Sequence, residues 1–538
     1  MKSSRSPRLR TGCLLLALAF GLSPSAWPQS AAPASPPRVP GESQVRLPAL
    51  GESASDEFSL STEKRVGEQI MREIRRDPDY LEDPILLEYL QSLWQPLVAA
   101  ARQRGDIGTD IQGLFPFESF LVRDRNVNAF ALPGGYVGIN LGLIAMTVTR
   151  DELASVLAHE LSHVTQRHIA RSITAASRSS AVSLAAMLLG ILAAAKSSNA
   201  DMAQAAIVGG QAAAQQAQLN FSRDMEREAD RNGLVLMSLG GFAPSGMAAM
   251  FEKLDQSVRL NDSGGFPYLR SHPLTIDRIG EARQRIDSLG PAPASTTSPL
   301  WHALMQSRAR VLMDPSNQSL HRFQQADIRG PASVRDRLAA LYLRAMASVQ
   351  LRDFTVADQA LAAGEPLLPD ATSRRAWAQL STEAALARGD ATRAAAALER
   401  WADDGSRSQL LLRAQLVLLQ NDAAALKRSA EQLQTWVAEH RDDGQAWQAL
   451  AGVAERQGQS LRSVRAQAEA QAAIGNIPGA IDRLRAGQLI ARRGGPGTDF
   501  IEASVIDARL RDLVAQRRQL MSEQRGSQQR RDPSDNPE

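Results

Sequence analysis

The sequence has almost no cysteine: Cys13 is the only one in 538 residues, so the chain cannot form an internal disulfide. Cys13 opens the apolar run CLLLALAFGL, which follows four basic residues and precedes a stretch rich in Ser, Pro and Ala. This order is typical of a secretory signal peptide, which we assign to residues 1–30. A lipid-modified cysteine would follow such a run, so we favour signal cleavage over lipidation. The cysteine-free mature chain then suits an oxidising periplasm.

The sequence also lacks an excess of charge of one sign. The full chain has a formal net charge of +3, but no acidic residue precedes Glu42. Removing residues 1–30 takes away four positive charges and no negative ones, which leaves 57 Lys and Arg against 58 Asp and Glu, a net charge of −1. Bulk charge therefore gives no reason to expect a nucleic acid as partner.

Long hydrophobic runs are missing as well. The apolar run AVSLAAMLLGILAAA at 181–195 has 15 residues, whereas a helix needs about 20 apolar residues to cross a bilayer. We favour a buried or partner-covered helix for this run. The alternatives are a membrane anchor and a peripheral contact with a membrane surface.

The length of the chain indicates several domains, because 538 residues exceed what one core usually supports. Residues 31–56 are rich in Pro, Ala and Ser and predict a linker. We assign 57–298 to a first domain, 299–505 to a helical repeat domain, and 506–538 to a C-terminal helix and a disordered tail.

The first domain combines helices with short strands. Apolar residues recur at helical spacing from Leu60 to Arg76 and from Ile85 to Arg102. The segments that predict strands are short and largely apolar: 117–123, 128–132 and 136–140.

The next predicted helix contains candidate metal ligands and a candidate general base. Thr149 and Glu152 form a capping box at its start, and His159, Glu160 and His163 follow inside it as HELSH. Residues four apart share a helix face, so both histidines can direct a ring nitrogen at one metal ion. Glu160 lies about 100° from His159 around the helix axis. It would stand beside the ion without binding it, where a general base takes a proton from water.

A third ligand does not come from the same segment. The metzincin pattern requires a glycine and a histidine where this chain has Gln166 and Ile169, so that pattern fails. His168 follows His159 by nine residues. On a continuous helix this spacing predicts an exposed polar residue on the opposite face.

The run FSRDMEREADRNG at 221–233 offers the missing carboxylate. Glu226 and Asp230 are four residues apart and share a helix face. A carboxylate from a second helix completes a site that has three protein ligands and one open position, and Asp230 could orient a ligand imidazole. Glu228 points about 200° away from Glu226 and is the weaker candidate. The alternative is a charged helix face with local ion pairs.

HExxH followed about 60 residues later by E-x-x-A-D resembles the gluzincin metallopeptidases of the HtpX and CAAX prenyl protease type. The resemblance implies that His159, His163 and Glu226 bind one Zn²⁺ per chain. It further implies that Glu160 is the catalytic base and that Asp230 orients a ligand.

Two further segments are similar to this family. In NAFALPGGYVGINLGLI at 128–144 the resemblance implies a substrate-binding strand, formed by Asn128, Ala129, Phe130 and Ala131, against which an extended peptide pairs. In RSHPLTIDRI the resemblance implies that His272 occupies the open zinc position and holds the enzyme latent. The alternative is a histidine that caps a loop. Arg278 and His272 are both candidates for stabilising the oxyanion.

The second half of the chain is rich in Ala, Leu and Arg and contains repeats. Ala357 and Ala394 occupy equivalent small-residue positions 37 residues apart, and Gly389, Gly458 and Gly475 fall at turns between helices. This pattern favours tetratricopeptide repeats over a generic helical solenoid, because small residues let paired helices stack closely. The histidines at 302, 321 and 440 have no ligand-spaced partner in this half.

We therefore expect a mainly α protein with a small β-sheet, in which a zincin-type metallopeptidase domain precedes a tetratricopeptide α-solenoid. With a secretory signal, this arrangement resembles periplasmic proteases of outer-membrane β-barrel assembly. The resemblance implies a zinc endopeptidase with chaperone-like activity whose partners are unfolded or stalled β-barrel proteins and the assembly machinery, contacted through the repeats. The alternative is a non-proteolytic adaptor with a capped or vestigial zinc site.

Overall fold

The computed structural model describes residues 58–176, 222–260, 267–289, 298–327, 330, 333–401, 404–494 and 499–529. The expected signal peptide, the linker, the apolar run 181–195 and the last nine residues lie outside these ranges. The described residues all belong to one compact unit, Gly51–Glu538. Within them, no helix is both long enough and apolar enough to cross a membrane.

The N-terminal part of this unit is a helical domain with one small sheet. Its elements are α1 (Leu60–Ile74), β1 (Tyr80–Leu81), α2 (Pro84–Arg104), β2 (Glu118–Val122), β3 (Ala129–Leu132), β4 (Tyr136–Asn140), α3 (Leu141–Met146), α4 (Arg150–Thr165), α5 (His168–Ala176), α6 (Arg223–Leu239), α7 (Ser245–Leu260), α8 (Pro267–Ser271) and α9 (Ile276–Leu289). The first two helices and the three predicted strands lie within two residues of their predicted bounds. Strand β1 was not predicted, since two residues carry no periodicity.

The sheet has the strand order β1-β2-β4-β3, so β3 is an edge strand. β2 and β4 run parallel, whereas β3 pairs antiparallel with β4, from Ala129 opposite Ile139 to Leu132 opposite Tyr136. Gly134 and Gly135 form the connecting turn with positive φ angles of 78° and 92°, which residues with a side chain rarely adopt.

Helix α4 is the centre of the domain, and every residue from Glu152 to Thr165 is buried. It packs against α2, α6, α7 and the sheet. Its N-cap departs from the predicted capping box in one detail. The Thr149 hydroxyl accepts from the Glu152 amide, at 3.2 Å, but the Glu152 carboxylate accepts from the Val148 amide, at 2.7 Å, instead of from Thr149.

The C-terminal part consists of helices that pack consecutively against one another. They are α10 (Pro299–Met313), α11 (Asn317–Gln324), α12 (Val334–Gln350), α13 (Phe354–Gly364), α14 (Ala371–Arg388), α15 (Ala391–Glu399), α16 (Arg407–Gln420), α17 (Ala423–Glu439), α18 (Gly444–Arg456), α19 (Ser460–Ala473), α20 (Ile477–Arg493) and α21 (Phe500–Gln529). Gly389, Gly458 and Gly475 have positive φ angles at the turns, as the repeat pattern predicts. This arrangement is that of a helical solenoid.

The solenoid packs on the N-terminal domain through a continuous core and through charged pairs. One apolar cluster extends from Leu81 to Ala384 and thus includes side chains of both parts. Arg308 on α10 is buried, binds Asp83 at the start of α2 with two hydrogen bonds of 2.8 and 2.7 Å, and also contacts Glu383 on α14. The predicted boundary at residue 298 therefore stays a prediction.

Candidate metal centre

Three separate segments bring four potential metal donors together. Helix α4 supplies His159 and His163, α6 supplies Glu226, and the loop after α8 supplies His272. One donor atom from each of them lies within 4.8 Å of the other three, and all four residues are buried. Nε2 of His163 lies 3.0 Å from Nε2 of His159 and 3.5 Å from the Glu226 carboxylate.

A glycine allows α6 to approach α4 closely. A Cβ atom at Gly233 would lie 3.3 Å from the backbone nitrogen of His159 and 3.4 Å from the carbonyl carbon of Ala158. Gly233 lies two turns after Glu226 on the same helix, so this close approach of the two helices places the Glu226 carboxylate near the histidines. The Ser222 hydroxyl caps the helix by accepting from the Met225 amide.

His272 lies inside the cluster and not at its edge. Its Nδ1 is 2.9 Å from Glu226 and 3.3 Å from Nε2 of His159. Its Nε2 is 3.5 Å from the Glu160 carboxylate. The ring stacks on Tyr268 with 4.8 Å between ring centres, so an aromatic contact fixes its orientation.

Asp230 and Arg278 support the cluster from outside. Asp230 lies 2.9 Å from Nδ1 of His159, the ring nitrogen that points away from the other donors. Arg278 donates to Asp230 at 2.7 and 2.8 Å, pairs with Glu226 at 2.9 Å, and donates to the carbonyl oxygen of Pro273 at 2.8 Å. Arg278 thus joins Glu226 and Asp230 to the loop that holds His272.

The cluster shifts the pKa values of its members in opposite directions. Burial lowers the pKa of His159, but hydrogen bonds to Asp230 and Glu226 outweigh burial and raise it to about 10. Burial and the neighbouring His159 lower the pKa of His163. Burial raises the pKa of Glu226, yet the adjacent His272 and His159 lower it well below its usual range. Burial also raises the pKa of Asp230, but hydrogen bonds from Arg278 and His159 lower it below its usual range. Glu226 and Asp230 are therefore anionic at neutral pH, and a bound cation competes with a proton for His159.

The residues present fit a divalent metal ion. Glu160 is fully buried, and within the described residues neither of its carboxylate oxygens has a hydrogen-bond partner. Buried carboxylates in this condition are costly unless a cation or water compensates for the lost hydration. Imidazole nitrogens with one carboxylate are a donor set that suits Zn²⁺.

The prediction that His168 is exposed is wrong, because the side chain is fully buried. Helix α4 ends at Thr165, and Arg167 takes a positive φ of 51° before α5 begins, so the chain turns before it reaches His168. Nδ1 of His168 lies 2.9 Å from Nδ1 of His163, and its Nε2 lies 3.1 Å from Glu228. Burial lowers the pKa of His168 to about 4.

The remaining predicted residues lie at separate places. The predicted substrate-binding strand, Asn128 to Ala131, overlaps the edge strand β3, which contains all of it except Asn128 and contacts α4. His302 is buried away from the cluster, 2.5 Å from the Tyr89 hydroxyl and 3.0 Å from the carbonyl oxygen of Thr147.

Comparison with known proteins agrees with this geometry. Residues 88–286 match the model of Peptidase family M48. The β-barrel assembly-enhancing protease of Yersinia pestis is 30% identical over 474 residues, which are 87% of this chain and 92% of that protein. The chain belongs to this family of M48 peptidases.

Two further relatives match a smaller part of the chain. A putative β-barrel assembly-enhancing protease of Vibrio cholerae is 33% identical over 325 residues, 60% of this chain and 64% of that protein's length. The mitochondrial metalloendopeptidase OMA1 of Schizosaccharomyces pombe is 29% identical over 240 residues, 43% of this chain and 64% of its own. Membership confirms the expected enzyme class, a metalloendopeptidase, and the mainly α fold with a zincin-type domain.

Proposed function

We propose that this M48 peptidase is a periplasmic zinc endopeptidase that acts in outer-membrane β-barrel assembly and holds one Zn²⁺ per chain. The observation that carries the proposal is the meeting of His159, His163 and Glu226 beside Glu160, whose buried carboxylate has no hydrogen-bond partner in the described structure. The names of the relatives, β-barrel assembly-enhancing proteases, support the role in β-barrel assembly.

The residues of the centre have distinct roles in this proposal. His159, His163 and Glu226 hold the zinc ion, which supplies Lewis acidity that polarises a peptide carbonyl and acidifies water. Glu160 accepts a proton from water and later passes it to the leaving amine. Asp230 orients His159 through its Nδ1–H.

Edge strand β3 supports an extended mode of substrate binding. The Asn140 amide donates to the Asn128 carbonyl at 3.0 Å, so this pair is hydrogen-bonded across the antiparallel ladder. Hydrogen-bonded and non-hydrogen-bonded pairs alternate. The backbone groups of Ala129 and Ala131 therefore face away from β4, where an extended peptide can pair with them.

His272 is the proposed latch of the resting enzyme. Its contacts with Glu226, His159 and Glu160 place an imidazole where water and substrate need access. The loop is held by Arg278, so release requires that hydrogen bond to Pro273 to break.

The remaining parts of the proposal concern the rest of the chain. Residues 1–30 direct the protein to the periplasm, and residues 299–505 form tetratricopeptide repeats that hold unfolded clients or the assembly machinery near the cleft of domain 57–298. The packing of α10 and α16 on α2 supports such coupling, since one continuous apolar core joins the start of the repeats to the peptidase domain.

A second candidate function is that of a non-proteolytic adaptor. The observation that favours it is His272 itself, since a permanently latched centre would leave the repeats as the active part. Comparing Glu160→Gln with a deletion of residues 299–538 for rescue of envelope defects distinguishes the two functions. Full rescue by Glu160→Gln but none by the deletion would favour the adaptor.

The direct test combines metal content with cleavage. Elemental analysis of the mature protein should give about one zinc per chain, and an unfolded outer-membrane β-barrel protein should be cleaved. Glu160→Gln should retain zinc but lose cleavage, since its amide cannot accept the proton. Asp224→Ala, whose side chain is exposed on the same helix as Glu226, is the matched control and should behave as wild type. A chain that neither contains nor takes up zinc would contradict the proposal.

A further inference from the structure

The two histidines of α4 direct their Nδ1 atoms to different partners. Nδ1 of His159 lies 2.9 Å from the carboxylate of Asp230, whereas Nδ1 of His163 lies 2.9 Å from a third imidazole, that of His168. On its far side, His168 lies 3.1 Å from the carboxylate of Glu228. We propose that His168, backed by Glu228, is a positioning residue that fixes His163 for zinc binding. This inference rests on the proposed zinc site.

The direction of the hydrogen bonds follows from which nitrogen faces the centre. Nε2 of His163 lies 3.0 Å from Nε2 of His159 and 3.5 Å from Glu226, so it is the atom available to a metal ion. An imidazole that binds a cation through Nε2 carries its proton on Nδ1. His163 therefore donates to His168, which accepts through Nδ1, carries its own proton on Nε2 and donates to Glu228.

The hydrogen bonds that start at each ligand histidine thus lead to a carboxylate, and an arginine holds each carboxylate in place. Asp230 is fixed by Arg278 at 2.7 Å, and Glu228 by Arg171 at 3.0 Å. The difference is one imidazole inserted on the His163 side. A carboxylate that accepts at the end of such a chain fixes the tautomer of the ligand and makes it a better electron donor to the metal.

The backbone is shaped to bring His168 to this position. On an unbroken helix His168 would lie about 140° from His163 around the axis. The left-handed conformation of Arg167 ends α4 and reorients the chain. Arg167 is held there by Glu63 of α1 at 3.0 Å and by the carbonyl oxygen of Phe58 at 2.7 Å. Strained backbone of this kind persists where surrounding contacts enforce it, frequently at functional sites.

The test measures zinc affinity by competition with a chromophoric chelator, in the full mature chain. His168→Phe keeps a planar ring but removes both hydrogen bonds, so we expect zinc affinity to fall about 10- to 100-fold. His168→Gln can accept from His163 and donate to Glu228, so it should restore most of the affinity. Asp224→Ala, a change of an exposed charge on α6, should leave zinc affinity unchanged.

Each outcome separates the positioning role from the zinc site itself. Tight zinc binding by wild type and equally tight binding by His168→Phe would overturn the positioning role alone. If His168→Gln bound zinc no more tightly than His168→Phe, the proposed hydrogen bonds from His163 through His168 to Glu228 would be overturned. No zinc binding by wild type would overturn the proposed function and this inference with it. If His168→Phe does not fold, Glu228→Ala replaces it, because Glu228 is the partly exposed partner of His168. Unchanged zinc affinity in Glu228→Ala would also count against the positioning role of His168.

Discussion

At the scale of single residues, the buried guanidinium of Arg278 holds several parts of the metal centre together. Arg278 contacts Asp230, Glu226 and the backbone of the His272 loop at once, so one guanidinium balances two carboxylates and holds the latch. Arg278 is therefore already engaged with carboxylates, and it is a poorer candidate for stabilising an oxyanion than the sequence suggested.

We expect His272→Ala to raise proteolysis, because the substitution removes the imidazole that lies among Glu226, His159 and Glu160. Cleavage of an unfolded β-barrel protein per zinc bound is the measurement. His321→Ala, at an exposed histidine of α11, is the control and should cleave at the wild-type rate. Activity of His272→Ala at or below the wild-type level would contradict the latch.

We also expect His302 to make stability depend on pH. Burial lowers its pKa from 6.5 to about 4. Between these values the unfolded chain binds more protons than the folded one, so stability is present above pH 6.5 and is lost as the pH falls toward 4. The loss from this group is about 3 kcal/mol over the full window.

Urea unfolding across this range measures the effect. His302→Gln should flatten the decline of the unfolding free energy below pH 6.5, whereas His321→Gln should not, since His321 is exposed. Equal slopes for the two variants would show that His302 is not the titrating group.

At the scale of elements, an edge strand and a helix break shape the site. Strand β3 turns alternate backbone groups away from β4, and the break at Arg167 redirects α5 toward the ligand histidines. The break could not be foreseen, because a left-handed arginine depends on Glu63 and Phe58, about 100 residues earlier in the chain.

We expect Ala131→Pro to weaken substrate binding without disturbing the sheet. The amide of Ala131 faces away from β4, and an edge strand tolerates proline there. Loss of one substrate hydrogen bond costs about 1 kcal/mol, roughly five-fold in kcat/KM. The measurement is kcat/KM on an unfolded substrate, together with zinc content.

The neighbouring residue supplies the matched control for this prediction. Phe130→Pro removes an amide that points at β4, opposite Gly138, so it should lower the melting temperature instead. Wild-type kcat/KM in Ala131→Pro would show that β3 does not pair with substrate.

At the scale of the whole molecule, buried and partly exposed ion pairs join the solenoid to the peptidase domain. Arg308 is buried, at 2% exposure, between Asp83 and Glu383, which lie in different parts of the fold. At the same contact Arg375 pairs with Glu88, but both side chains are about a quarter exposed. The two pairs therefore differ in burial and in their expected contribution to stability.

We expect Arg308→Met to lower the free energy of unfolding by about 3–5 kcal/mol, because it leaves the buried carboxylate of Asp83 and the partly exposed carboxylate of Glu383 without their partner. Arg375→Met should cost about 1 kcal/mol or less, since water reaches this partly exposed pair and screens its attraction. Urea unfolding of both variants is the measurement. Similar losses in the two variants would show that the Arg308 network does not join the two parts.

Local sequence was sufficient for the features that depend on neighbouring residues. The HELSH helix, its threonine cap, the three longer strands and the glycine turns of the solenoid all follow from hydrogen bonds and periodicity within a few residues. For the same reason the HExxH and E-x-x-A-D spacings were enough to recognise the peptidase family.

Other features required the folded chain, because they join residues that are far apart in sequence. The strand order of the sheet, the burial of His168 and the network around Arg308 are of this kind. His272 comes to lie against His159, 113 residues earlier, through the packing of α6, α8 and α9 around α4. Burial and charge pairing in three dimensions select such contacts, and the sequence pattern around each residue does not contain that information.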